Sequence, residues 1–546
     1  MTDAKDLEGR GFDEQKIFYN ISFSLLSILF LLFVSASVCF VLGLGLNGFG
    51  ILLSFILGMG APVFLKISDI KEFLPSFVII FGIIALSLYL AEAMTDVSYD
   101  GRWYHQTNAL FLKKGWNPVY VRAADFLKEH WTVKSISGLT VMDSYPKAVE
   151  IIAASFFYLT DNIETCKAVN PLAMAALFFY SLYIFNAFFP NLLGILRFFL
   201  SFAVIINPVV LAQMHTGYVD GLIYVCFMFA LLSIIELEKT DRQSKSGLLI
   251  FIMSITLLSG IKTSSGLYAA EIILLYLIYL KCRKKNIEKP GKILIALVAL
   301  LFVTNINPYL TNLYQGKHLF YPIMGKDKID VITHNVPTYF FNRSMPYKLF
   351  MSLFTSAKNS SFEHPETNTP IKVKTPFTRS DEEKRNLGFA DLRLSGFGVW
   401  WGGILILSLF LAPFSRKIPE PDGSLYHLLM LILIVSVLTH PHNWWARYVP
   451  QLYALPIFII LFFAQRNFSV YRHAFSFVLL LFMTINSLFT YTEVVVRNVI
   501  RTEMQKSFYA SPAYQRRNLA LLLDPSGVPY ETQTIPALML TEKDEE

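Results

Sequence analysis

The sequence predicts an all-α polytopic membrane protein, a bundle of about thirteen transmembrane helices with juxtamembrane helices on the extracytoplasmic face. Three observations carry this. The 546-residue chain is 54% hydrophobic. Only 16% of it is charged, where a soluble domain carries about 25%. Apolar runs of roughly 20 residues, the length that crosses a bilayer, recur from one end to the other.

The first three spans are expected near 18–43, 49–66 and 74–94. The connection Lys66–Lys71 is charged, whereas the tip GLGLNGFG between the first two spans is not. Lys and Arg favour the cytoplasmic side, so the N-terminus is placed inside and the loop after residue 94 outside. Residues 146–161, PKAVEIIAASFFYLTD, are apolar but short, and Lys147 and Glu150 interrupt their start. If they crossed, the basic loops Glu238–Lys245 and Lys281–Lys289 would face outside; they are therefore read as a juxtamembrane or re-entrant helix. Further spans follow near 170–188, 198–213, 217–238, 246–261, 265–281 and 291–306. A polar segment, 307–395, comes next, and its part 356–390 has few large apolar residues and reads as a mobile loop. Spans near 396–414, 425–439, 449–464 and 471–490 complete the bundle. The organisation is thus a membrane module over 1–490, with extracytoplasmic loops 95–169 and 307–395, and an extracytoplasmic tail over 491–546.

Composition excludes some classes. The net charge of +7 follows from the cytoplasmic bias of Lys and Arg and implies no nucleic acid. Four cysteines, Cys39, Cys166, Cys226 and Cys282, make no disulfide framework or metal spacing. His440 and His442 lack a third ligand at a suitable spacing, so no metal is indicated, although metal dependence stays open. The acidic start and the long first apolar run do not read as a cleavable signal peptide. No internal repeat or pair of broken spans suggests an inverted-repeat transporter.

Ionisable residues beside a membrane span are costly and mark function by default. Here they gather at one face. Asp96 and Asp100, then Arg102, Trp103, Tyr104 and His105, follow the third span. His215, Tyr218 and Asp220 stand in MHTGYVDG, and Lys262 in SGIKTSSG. Asn307, Asn312, Lys317 and Tyr321 stand in NPYLTNLYQGKHLFYP. His440, His442, Trp444, Trp445, Arg447 and Tyr448 occupy THPHNWWARYVP. Carboxylates and cations together suit an anionic substrate held in the membrane. Outside the cytoplasm, where nucleotide sugars are lacking, such a substrate is a sugar on a lipid phosphate. A carboxylate takes the proton of the acceptor hydroxyl, cations stabilise the leaving phosphate, and an apolar groove holds the lipid. Plainer readings stay open beside this one. Asp100 and Asp220 also fit helix N-caps, Lys262 a snorkelling helix-end lysine, and Arg447 an interfacial belt residue.

In order along the chain, YDGRWYHQTNALFLKKGW, YPKAVEIIAASFFYLTDN, GYVDG, SGIKTSSG, NPYLTNLYQGKHLFYP, SGFGVWWGG and WWARYVPQLYALP resemble the motifs of the GT-C superfamily, the membrane glycosyltransferases that use polyprenyl-phosphate sugars. The aromatic HPHNWW and the tail after 491 depart from that pattern. A bacterial inner membrane fits the compact loops, with the endoplasmic reticulum left open; the resemblance implies a GT-C-like bundle and an inverting glycosyltransferase with its site on the extracytoplasmic face, periplasmic in the bacterial case. Its donor is a polyprenyl-phosphate sugar and its acceptor an envelope glycan, lipid or protein. Asp100 matches the first-loop carboxylate and is the implied base, with Asp96 as the alternate. Lys262 and Arg447 are implied to hold the donor phosphate, with His105 and His442 as phosphate or sugar-hydroxyl partners. Asp220 is implied to position the acceptor or support Lys262, and Tyr218, Tyr104 and Tyr321 to contact acceptor or sugar. The rival readings are an O-antigen polymerase or ligase using a polyprenyl-diphosphate glycan, and a lipid or solute transporter.

Overall fold

The computed structural model describes residues 4–510 except 132–135, 137, 285–289, 331, 359–370, 416–420 and 467–468. Among the described residues the regular structure is helical, with two isolated bridges and no strand. Six helices are long and apolar enough to cross a membrane: Glu14–Val41, Ile70–Glu92, Ile163–Phe188, Asp220–Lys239, Thr263–Cys282 and Val470–Met504. A bent pair, Leu294–Thr304 with Ile306–Tyr314, makes a seventh if taken as one span. Seven shorter apolar helices of 10–17 residues complete the set. The chain is a multi-pass helical membrane protein.

Helix breaks follow local sequence. The run expected over 198–213 forms two helices, Gly194–Ile205 and Pro208–Gln213. Asn207 stands before Pro208, which disfavours helical backbone at that residue; its side chain instead caps the second helix by accepting from Val209 N at 3.0 Å. The run expected over 49–66 ends as Gly48–Met59, and a separate turn, Ala61–Phe64, begins with Pro62 in its first turn. The bend of 70° falls between Thr304 and Ile306, at Asn305 with φ −119° and ψ 21°, and two residues on Asn307, which precedes Pro308, is also non-helical at φ −92° and ψ 127°.

Asp220–Lys239 is the centre of the bundle. It is enclosed by Val169–Phe188 and Lys245–Ile261, and its apolar window is wholly buried. A fully enclosed helix needs no amphipathic stripe, so its sequence is apolar all round. The peripheral Ile70–Glu92 leaves Leu74, Val78, Phe81 and Leu86 exposed, as a lipid-facing helix does.

Ala148–Thr160 lies along one face of the bundle. Lys147, just before it, donates to Asn307 Oδ1 at 2.7 Å, and Asp161, just after it, pairs with Lys113. Both ends therefore reach loops of the same face. The opposite face carries Lys239 with Asp422 at 2.7 Å, Arg283 with Ser424 at 3.0 Å, and Gln465 with Asp422 at 3.1 Å.

Two expectations need amendment. The last helix does not stop at 490 but runs Val470–Ala510, so the segment read as a tail begins as a helical strut. Glu493 meets Lys384 at 3.5 Å, Arg497 lies 3.3 Å from the centre of the Phe389 ring, and Thr502 Oγ1 accepts from Thr95 N at 3.1 Å. The rest of the expected tail, 511–546, lies outside the described residues, as does 359–370 of the expected mobile loop. The remainder of that loop is built. Ser380 and Glu383 form a capping box on Asp381–Asn386. The buried Glu383 also takes Lys374 Nζ at 2.6 Å and Ala357 N at 3.0 Å.

Candidate active site

Four of the charged residues singled out in the sequence converge at one end of the bundle. Asp220 opens the central helix with its side chain 1% exposed; Lys262 Nζ donates to its Oδ1 at 2.7 Å. Gln213 Nε2 reaches its Oδ2 at 3.3 Å, and Gln213 is itself fixed because Oε1 accepts from Gly221 N at 2.7 Å. Arg447 Nη1 donates to Asp100 Oδ2 at 2.7 Å and stands 3.6 Å from Asp220 Oδ2. Tyr218 lies beneath the Arg447 guanidinium at 4.9 Å, Tyr448 lies 4.7 Å from Lys262 Nζ, and both rings favour cations on their faces.

Two charged members were not singled out. Asp391 Oδ1 lies 3.0 Å from Arg447 Nε, a close ion pair not aligned as a hydrogen bond, and accepts from Trp445 Nε1 at 2.7 Å. Arg393 clamps Asp391 Oδ2 through Nε at 3.0 Å and Nη2 at 2.9 Å. Three carboxylates, Asp100, Asp220 and Asp391, thus face three cations, Lys262, Arg393 and Arg447. Burial alone would lower the Arg447 pKa; Asp391 and then Asp100 outweigh it and hold the guanidinium charged well above its ordinary range.

These contacts bear on three of the four plainer readings. Asp100 has helical backbone and makes no capping hydrogen bond to the turn Gly101–His105; its carboxylate is committed to Arg447. Lys262 pairs with Asp220 rather than snorkelling, and Arg447 and Trp445 are buried.

Asp96 is elsewhere and differently employed. Fully buried, it accepts from Gly217 N at 2.6 Å, Ser98 N at 2.8 Å and Ser98 Oγ at 2.6 Å. Burial pushes its pKa up and Lys167 opposes the shift. It ties the first loop to the 215–220 loop, which sets Asp100 opposite Asp220. Gly101 is required at this junction, since a Cβ there would fall 2.3 Å from Asp96 Oδ2 and 2.2 Å from Ser98 Oγ. Overpacking of this kind costs about 1–3 kcal/mol. Gly101→Ala is therefore expected to lower the thermal unfolding midpoint, and an unchanged midpoint would show that the junction yields freely.

The other predicted residues surround the cluster. His105 Nδ1 pairs with Glu150 Oε1 at 2.6 Å, and both line a cavity of about 20 Å³ with Gln106, Cys166, Asn170 and Tyr218. Such a volume holds a water and no sugar. Tyr104 is buried between His105 and Tyr145, at 4.0 and 6.0 Å between ring centres. His442 is half-buried and its N donates to His440 Nδ1 at 3.1 Å. His440 packs on Tyr448 at 5.3 Å, and burial, then His442 and Lys262, push it down to about 3. Tyr321 is apart, under Lys317 at 4.3 Å. Among the described residues no three His, Cys, Asp or Glu side chains are grouped to hold a metal.

A second polar knot centres on Lys147. Lys147 donates to Tyr145 O at 2.8 Å and Asn307 Oδ1 at 2.7 Å, and Asn307 Nδ2 donates to Pro118 O at 2.8 Å. Burial lowers Lys147 from 10.5 to about 8, with Asp143 opposing. The folded protein then binds fewer protons than the unfolded chain between those values, so this lysine makes stability rise with pH across that window. Lys147→Met is expected to flatten the rise of the unfolding midpoint with pH; an unchanged slope would assign it to other groups.

No protein-family model, curated protein or solved structure matches the chain.

Proposed function

We propose that the protein is an integral-membrane inverting glycosyltransferase that moves a sugar from a polyprenyl-phosphate donor to an envelope glycan, lipid or protein acceptor. The observation that carries this reading is the convergence of Asp100, Asp220, Lys262 and Arg447 from four separate segments at one end of an apolar bundle. Asp100 takes the acceptor proton as the acceptor oxygen bonds to the anomeric carbon. The bond from that carbon to the phosphate breaks, and the electron pair leaves on the phosphate, which Lys262 and Arg447 hold. Asp220 keeps Lys262 in place. Asp100, with its side chain 16% exposed, is the most accessible of the three carboxylates.

Taking the bent pair as one crossing and six of the seven shorter helices as crossings, with Ala148–Thr160 lying on the surface, gives the thirteen spans of such a bundle. In this reading the face bearing Lys239, Arg283 and Arg466 is cytoplasmic, and the carboxylate–cation cluster is periplasmic in a bacterial inner membrane.

The test is an assay of purified protein with a panel of polyprenyl-phosphate monosaccharides, following released polyprenyl phosphate by mass spectrometry. Release is expected with at least one donor. Release from diphosphate-linked glycans alone would replace this reading with that of a polymerase or ligase.

A further inference from the structure

We infer that Asp100 is the resident occupant of an anion site, displaced when a phosphoryl group binds, and that Asp391 is the positioning residue that keeps Arg447 in place through the exchange. The inference rests on the reading above for the identity of the ligand, and its geometry stands on four observations.

The cluster is charge-balanced, with three carboxylates against three cations. An arriving anion finds no spare positive charge unless a carboxylate gives way. The three are not equally able to do so. Asp220 is 1% exposed and bonded to Lys262 and Gln213. Asp391 is held by Trp445, by both contacts from Arg393 and by Arg447. Asp100 is the most exposed, and among the described residues its carboxylate has one hydrogen-bond partner, Arg447. Nor does it cap the turn that follows, so its side chain can swing without unwinding backbone. Arg447 meets the two outer carboxylates through different nitrogens, Nη1 for Asp100 and Nε for Asp391. A phosphoryl oxygen can take Nη1 while Asp391 retains Nε. The rigid guanidinium fork keeps its direction as one partner is exchanged.

The exchange has a chemical consequence. Once Arg447 turns to phosphate, the Asp100 carboxylate is released from its one hydrogen bond among the described residues and can meet an acceptor hydroxyl beside the newly bound donor. The base is thereby unmasked by the substrate it serves.

The probe is farnesyl phosphate, an isoprenyl monophosphate, with inorganic phosphate as a second arm, titrated into detergent-solubilised protein by calorimetry. Asp100→Asn is expected to bind farnesyl phosphate about tenfold more tightly than wild type, equivalent to about 1.4 kcal/mol, because an internal competitor is gone. Asp391→Asn is expected to bind it about tenfold more weakly. Asp100→Ser serves as the second variant should Asn hydrogen-bond Arg447 in the old manner. Equal or weaker binding by both Asp100 variants overturns the inference. Tightening with both ligands places the gain in a free phosphoryl site; tightening with farnesyl phosphate alone places it in a phosphoryl group delivered from the membrane. Turnover separates the two readings. Tight binding with normal turnover in Asp100→Asn keeps the anion exchange and removes Asp100 as base, whereas lost turnover with unchanged binding keeps the base and removes the exchange.

Discussion

On the proposed function, Asp100→Asn is expected to lower the rate of sugar transfer by about 10²–10⁴-fold, the usual worth of a positioned general base, while the protein stays folded. The expectation of folding comes from the contacts. Asp100 is partly exposed and caps nothing, and an Asn at this position keeps the volume and can still accept from Arg447. The loss of charge leaves two carboxylates facing three cations, which solvent at this accessible edge can partly screen. The expected loss is in the chemical step. It should appear in kcat at saturating donor, where tighter donor binding cannot conceal it. Asp220→Asn provides the contrast. That residue is fully enclosed and holds Lys262, so its loss should lower stability and donor affinity together. Near-normal kcat in Asp100→Asn, with the expected effect on Asp220→Asn, would move the base role to Asp220. Asp96→Asn would instead destabilise the loop junction, since the three donors to its carboxylate come from backbone and Ser98.

Why Asp100 could be found in the sequence and Asp391 could not is a matter of background. Asp100, Asp220, Lys262 and Arg447 each stand at the end of an apolar run, where a charge is costly and therefore informative. Asp391 and Arg393 follow a stretch that already contains Asp381, Glu382, Glu383, Lys384 and Arg385, where one more charge is unremarkable. A signal was nevertheless present, because ADLRLSGFGVWW puts the pair just before an apolar run, the mirror of Asp96 and Asp100 just after one. The same signature also misleads. Asp96 and Asp100 look alike in the sequence, and only the contacts in the fold show that one is a buried tie to Gly217 and the other a partner of Arg447. The aromatic Trp444 and Trp445 stand out in the sequence as a departure from the family pattern, yet both are buried, and Trp445 serves by donating to Asp391. Hydropathy placed the helices and missed their ends. Past residue 490 the chain turns polar, but it continues as helix to Ala510 because Glu493, Arg497 and Thr502 find partners in neighbouring loops.

The largest expected loss of stability belongs to Arg447. Its guanidinium is buried among Asp100, Asp220 and Asp391, and Arg447→Met leaves three carboxylates against Lys262 and Arg393. Breaking a buried ion pair by removing one partner costs about 3–5 kcal/mol, because the remaining charge has lost its compensation. That logic makes a sharper claim than destabilisation alone. If the cost comes from uncompensated charge, then adding Asp391→Asn to Arg447→Met should return part of it, with a coupling of about 0.5–3 kcal/mol between the two positions. If it comes from lost packing of the Arg447 stem against Tyr218, Trp445 and Tyr448, which lie 4.9, 5.1 and 5.2 Å from the guanidinium, the second substitution should add its own cost and return nothing. Thermal unfolding of the two single variants and the double variant separates these outcomes. Arg447→Lys tests geometry apart from charge. An ammonium restores the positive charge but has no fork to hold Asp391 while presenting a second nitrogen to phosphate. It should therefore recover most of the stability lost in Arg447→Met, yet leave transfer reduced by about 10²–10³-fold, the worth of one misplaced transition-state donor. Full recovery of both would show that Arg447 acts as a point charge only, and the anion exchange built on its two faces would fall with it.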